Sequence, residues 1–281
     1  NTAVGQFALR TNTTGQNNTA VGATGPLQFN TSGGNNTAVG NGAMNQNTTG
    51  QFNTAVGATS LDRNTTGSGN SAFGHNSLTQ NLTGYNNTGL GQEALRQNTE
   101  GFENTSVGRA SMEENTTGDH NVAVGNKALQ KNTTADDNTA VGNFALNLNT
   151  TGLNNVAVGS NALLANTTAS NNIAVGYQTL SSNTTGTLNT AIGGDSMREN
   201  TTGGENVAVG SGALLLNTTA SSNTAVGRLA LGANTTASNN TAVGFEALKV
   251  NTTGAGNTAV GANSLDANTT GVFNVAMGNS A

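Results

Sequence analysis

The chain has 281 residues, of which 8% are charged and 4% aromatic, with a formal net charge of −5 and no cysteine. Disulfides and thiolate metal sites are excluded, and nine Lys and Arg scattered over this length make no basic stripe for nucleic acid. No stretch approaches the apolar length of a membrane span, and the 33% apolar content falls at fixed intervals, unlike that of a disordered chain.

The chain starts inside a pattern, at Asn1-Thr2-Ala3-Val4-Gly5, with no signal peptide visible. It reads as a mature chain or as part of something longer. The glycine of this motif recurs at Gly5, Gly22, Gly40, Gly57, Gly74, Gly91 and onward to Gly278. Every step is 17 residues except the second, of 18, whose extra residue falls near Gly25-Pro26, where a bulge can absorb it. The unit is Asn-Thr-Ala-Val-Gly-x-x-Ala-Leu-x-x-Asn-Thr-Thr-Gly-x-x, and it leaves no room for a linker. Residues 1–281 therefore read as one repeat domain without caps, the segment of a longer fibre.

Copies within the chain act as a substitution experiment. Position four is Val4, Val21 and Val39, then Phe73, Leu90, Ile192 and Met277, and is never polar. Position nine is Leu9 or Leu61, with Met44, Met112 and Met197 as replacements. Both are expected inside. Position two, where Thr2-type residues alternate with Val122, Val156 and Ile173, is expected to share the face of position four by the strand period of two. Position three is Ala nearly everywhere. It is expected to point outward against a close neighbour, for which a second protomer is the simplest candidate.

Two asparagine columns complete the unit. One begins the strand (Asn18, Asn36, Asn53) and the other opens Asn-Thr-Thr (Asn12, Asn47, Asn64). Asn tolerates left-handed turns, and identical amides stacked coil on coil form hydrogen-bonded ladders. A helical repeat needs about twice this length, whereas seventeen residues suit two or three short strands with turns. The fold class is thus all-β, a parallel β-solenoid or β-roll of about sixteen coils. At roughly 4.8 Å per coil it would extend roughly 80 Å. Its one-layer interior favours self-association, as a homotrimer or a filament.

The repeat resembles the head repeats of the YadA-like trimeric autotransporter adhesins, whose Asn-Ser-Val-Ala-Ile-Gly strand is matched by Asn121-Val122-Ala123-Val124-Gly125 and Asn172-Ile173-Ala174-Val175-Gly176. It is also similar to repeats of phage tail fibres and bacterial surface proteins. The resemblance spans the chain and implies a left-handed β-roll, three chains side by side and a role in attachment, at the cell surface or on a virion fibre. The family's repeat is about 14 residues long, whereas this one adds Asn-Thr-Thr-Gly.

For chemistry the sequence offers little. His75 and His120 sit at variable positions with no recurring partner, so no catalytic residue is assigned. Acids such as Asp136-Asp137 and Glu113-Glu114 are sporadic, and solenoids that bind calcium repeat Asp at every turn, so no metal is expected. The glycines carry no phosphate-loop ending, and no cofactor is assigned. Asn-Thr-Thr is also a glycosylation pattern, at Asn12, Asn47, Asn64, Asn115 and Asn132. The ladder accounts for both Asn columns and glycosylation for only one; the Thr14-type hydroxyls are an alternative site for O-glycans. An ice-binding face requires outward Thr pairs; with position two expected inward and Thr13-Thr14 consecutive, an ice-binding solenoid stands as a remote alternative. The function expected is the structural shaft of an extracellular fibre or adhesin. A filament subunit and a phage fibre shaft are the alternatives, and any surface ligand is unspecified.

Overall fold

Each copy of Thr-Ala-Val or its equivalent forms one parallel strand, because β-branched side chains on both sides of a small residue suit a pleated surface. The computed structural model describes residues 1–281, which form two compact units, Asn1–Asn138 and Thr139–Ala281. The first holds β1 (Thr2–Gln6), β2 (Thr19–Thr24), β3 (Thr37–Val39), β4 (Thr54–Val56) and four more strands to β8 (Val122–Val124). The second runs from β9 (Thr139–Val141) to β17 (Val275–Met277). Within each unit every strand pairs in parallel with that of the next coil. Between β3 and β4, for example, Thr37 lies opposite Thr54, Ala38 opposite Ala55 and Val39 opposite Val56. The fold is an all-β parallel solenoid, coiled at the 17-residue period, with no helix.

Only one side of the coil is strand, generally three residues long, rather than the expected two or three sides. The remainder is turns that still bond from coil to coil. The Leu61 N–H donates to the Ser77 carbonyl (2.9 Å), that of Arg63 to Thr79 (3.0 Å) and that of Thr65 to Leu82 (3.0 Å). These turns need left-handed backbone at positions seven, nine and seventeen, as at Glu93 (φ 61°), Leu95 (φ 51°) and Glu103 (φ 54°). A left-handed non-glycine residue costs roughly 1–2 kcal/mol. Full burial of the leucine returns roughly 2 kcal/mol, so the strain at position nine is offset where it arises.

The core follows the same count. The Ala column at position three, the Ala or Ser column at position eight, the Leu or Met column at position nine and both asparagine columns are buried through the interior coils. The 18-residue second coil absorbs its extra residue as expected. β2 is lengthened, the register slips so that Gln6 lies opposite Thr24, and Gly25 (φ 60°) with Pro26 returns Leu27 to the core.

One expectation is reversed. Ala20, Ala38 and Ala55 are fully buried, whereas Val4 is 56% exposed, Val21 is half-buried, and Ile173 and Ile192 are 40% and 41% exposed. Position three therefore points in, and positions two and four point out. The close neighbour that keeps position three small is the opposite corner of the same coil stack. At Gly89 the Ser77 hydroxyl occupies the space a methyl would fill, donating to the Gly89 carbonyl at 2.9 Å. Where Ser106 replaces Ala, its hydroxyl hydrogen-bonds that of Ser111. The interior is one methyl wide at this level and has no room for valine.

Gly91 closes the strand at φ 139°, and a Cβ there would lie 2.6 Å from the Gly108 carbonyl oxygen. Gly91→Ala is expected to cost roughly 2–4 kcal/mol by the strained-backbone and overpacking mechanisms. Gly194→Ala, where the nearest atom would be 4.0 Å away, should change stability by less than roughly 0.5 kcal/mol. Urea unfolding of the two variants checks the contrast.

Candidate functional surface

Inside the coils the amides form two directional ladders. At position twelve, Asn47 Nδ2 donates to Asn30 Oδ1 (2.7 Å) and to the Gly50 carbonyl (3.1 Å). Asn64 Nδ2 repeats this to Asn47 Oδ1 (2.8 Å) and to Gly67 (2.9 Å). At position one the backbone N–H donates instead, from Asn36 to Asn18 Oδ1 and from Asn53 to Asn36 Oδ1, both at 2.9 Å. The position-one amides then reach the same carbonyls as the other column, Asn36 Nδ2 to Gly50 and Asn53 Nδ2 to Gly67, again at 2.9 Å. One carbonyl per coil thus ties the two ladders together, and no buried side-chain polar atom lacks a partner.

This geometry removes the glycosylation reading at the interior coils. Asn47, Asn64, Asn115 and Asn132 are fully buried. Both N–H groups of each Nδ2 are committed: those of Asn115 to Asn98 and Gly118, and those of Asn132 to Asn115 and Ala135. A glycosidic bond would have to replace one of these hydrogen bonds inside the wall. Asn12, in the first coil, is half-buried and donates to the Gly15 carbonyl at 3.0 Å.

The outer surface divides into distinct faces. The strand face shows position two, Thr or Val, beside position four, where Phe73 is 38% and Leu90 47% exposed. The Asn-Thr-Thr side carries two Thr columns with different fates. The first is tied down, as where the Thr48 hydroxyl donates to the Thr65 carbonyl at 2.9 Å. The second, as at Thr49 and Thr66, is exposed. In the second unit an open apolar groove runs between Leu215, Leu216, Leu229, Ala233 and Val250.

Charges meet by coil register. Glu113 accepts from Arg96 (2.6 Å) and from Gln130 (2.7 Å), and Glu114 pairs with Lys131. Partial burial opposes ionisation of Glu113, but hydrogen bonds from Gln130 and Arg96 and the nearby positive charges outweigh it and hold the carboxyl below its ordinary value. Its contribution to stability is therefore present above the unfolded-state value and lost as pH falls through the folded one.

His120, assigned no partner from sequence, has several. Its Nε2 lies 3.3 Å from Glu103 Oε2 and its Nδ1 lies 3.9 Å from Asp137 Oδ1. Its ring meets Phe102 edge-on at 5.1 Å, and Phe102 stacks on Tyr85 at 4.7 Å. Asp119 accepts from the Phe102 N–H, and Asp136 from the Asp119 N–H, both at 2.8 Å. Burial, with Asp136 and Glu103 nearby, pushes the Asp119 carboxyl above its usual range despite that hydrogen bond and His120. The signal was arithmetic: residues 103, 120 and 137 are one period apart. His75 is exposed in another column. No group of three or more His, Asp and Glu is arranged to hold a metal ion, and no helix is long and apolar enough to cross a membrane.

No known protein family matches this chain, and no curated protein matches it either.

Asn64→Ala would orphan the Oδ1 of Asn47 and one N–H of the Asn81 amide together. At roughly 1–3 kcal/mol for each unsatisfied buried group, the expected loss is about 2–5 kcal/mol, read from the urea midpoint. Protein secreted from a eukaryotic host should show the unmodified intact mass at Asn47, Asn64, Asn115 and Asn132. A glycan on any of them in folded material contradicts the ladder.

Proposed function

We propose that this chain is a structural shaft of an extracellular surface fibre or adhesin, in which the coils supply length and stiffness and copies associate side by side. The observation that carries the reading is the outward strand face. It puts apolar side chains at position four of every coil and no charge at positions two or four. Lone apolar surface residues need no explanation, but a continuous apolar strip does. With the neighbouring Thr or Val column of position two, each unit offers an uncharged strip of roughly 400 Å², from its coil count and a width of two side-chain columns. One partner of a standard interface contributes roughly 800 Å², so the strip of a single unit supplies about half of that area. Self-association therefore moves from the Ala column, which is interior, to the face of positions two and four. A homotrimer, as the resemblance to adhesin head repeats implies, uses this face at the cell surface or on a virion fibre; a bundled filament is the alternative.

A second reading, binding to ice, regains support because the Thr residues of position two face outward after all. Position four opposes it: it has no hydroxyl in any coil, and Phe73 and Leu90 interrupt the flatness of the strip. An ice-recrystallisation assay separates the two readings, since the shaft is expected to be inactive.

Light scattering with electron microscopy of the same sample tests self-association. A discrete trimer supports the shaft, long uniform filaments favour the bundled fibre, and a stable monomer overturns association by this face. The double variant Ile173→Lys, Val175→Lys is expected to shift the assembly at least tenfold towards monomer in a dilution series. Circular dichroism of the variant should remain that of the parent, because both side chains point out.

A further inference from the structure

The repeat register segregates charge. All nine Lys and Arg stand at positions six, seven, ten and eleven of their coils. The opposite stretch, positions thirteen to seventeen, carries Glu100, Glu103, Asp119, Asp136, Asp137 and Glu205, with His120 but no Lys or Arg. In the first unit this corner also carries the ring stack of Tyr85, Phe102 and His120. Asp119 and Asp136 are spent on backbone N–H groups and fix the corner. Glu103 and Asp137 remain outward, with side chains 49% and 59% exposed on either side of the imidazole. Phe102 covers one face of Tyr85, whose neighbours in the preceding coil are the small residues Ser68 and Gly69, and Tyr85 stays 41% exposed.

We propose that this corner, from Tyr85 to Asp137, is a binding site for an extended, arginine-bearing segment of a basic partner protein. A guanidinium is planar, stacks on an aromatic face and pairs with carboxylates through a fork of donors, so it uses both chemistries present here. The carboxylates repel nucleic acid and anionic lipid, which leaves a cationic protein segment as the macromolecule of fitting charge. The lengths agree as well. Three coil spacings separate Tyr85 from Asp137, roughly 14 Å, and four residues of extended chain cover roughly 13 Å. One arginine stacks on the open side of Tyr85 while those further along meet Glu103 and Asp137.

The repeat itself supplies variants that preserve the fold. Ser68, Asn86 and Asn154 occupy the positions of Tyr85, Glu103 and Asp137 in other coils. Tetra-arginine and tetra-lysine peptides are titrated into the full chain by calorimetry at low salt. The expected result is saturable tetra-arginine binding, at least fivefold tighter than tetra-lysine. Glu103→Asn with Asp137→Asn should weaken it tenfold or more, and Tyr85→Ser should abolish the preference for arginine. Failure of tetra-arginine to bind, equal binding to the doubly substituted chain, or equal affinity for the two peptides in the parent chain each overturns the proposal.

Discussion

The hydrogen bond from one asparagine amide to the next, repeated along the coil stack, is the constraint from which the other features follow. A primary amide has two N–H donors and a carbonyl with two lone pairs. In the position-twelve column it therefore bonds its own turn and both adjacent coils. That demand fixes the coil spacing at the point where amides touch, and it places a polar wall opposite a thin apolar one. It also explains the low charge of the chain: an ionised side chain in either column would have no counter-ion in the wall. The remaining core is small, two columns of Ala-sized residues and one of Leu or Met, because the amides already occupy much of the interior.

Thin walls then dictate the surface. With a single methyl admitted at position three, the strand has no inward place for its β-branched side chains, and these line the outside instead. The apolar strip proposed as the contact between copies is in this sense a by-product of the narrow interior. The corners are less constrained, since the turns at positions six, seven, ten, eleven, sixteen and seventeen vary among Gly, Asn, aromatic and charged residues, with Lys and Arg confined to the first four of these. Individual character is written there: the Arg96–Glu113 pair, the Tyr85–Phe102 stack and the apolar groove around Leu229 all arise at corners, by stacking of unlike residues one period apart.

Much of this was legible in the sequence, and the failures have physical causes. The period, the leucine column, both ladders and the bulge near Pro26 follow from identity at fixed spacing. The direction of the strand side chains did not, because a period of two fits Val inside and Ala outside as well as the reverse. Only the width of the interior decides, and position eight sets that width across the coil. Reading Ala as evidence of close packing was sound, but the neighbour was the molecule's own far corner. The left-handed leucines had no signal, since leucine rarely adopts that backbone conformation and burial is what holds it there. Positions seven and seventeen did carry one, in Gly42, Gly69 and Gly212 and the recurring asparagines. The partners of His120 were hidden by reading along the chain rather than down a column.

The ladders also have a sense. Within each unit the side-chain Nδ2 of position twelve and the backbone N–H of position one point to the preceding coil, and the Oδ1 atoms look to the following one. A stack built this way has a donor end and an acceptor end, and the aligned amides cannot be inverted without breaking every rung. Two such stacks can continue each other only head to tail; brought together by like ends, they would set donors against donors or carbonyl oxygens against carbonyl oxygens. The chemistry of one residue type thus gives the assembly an arrow, and it excludes any two-fold axis lying across the stack where two ends meet.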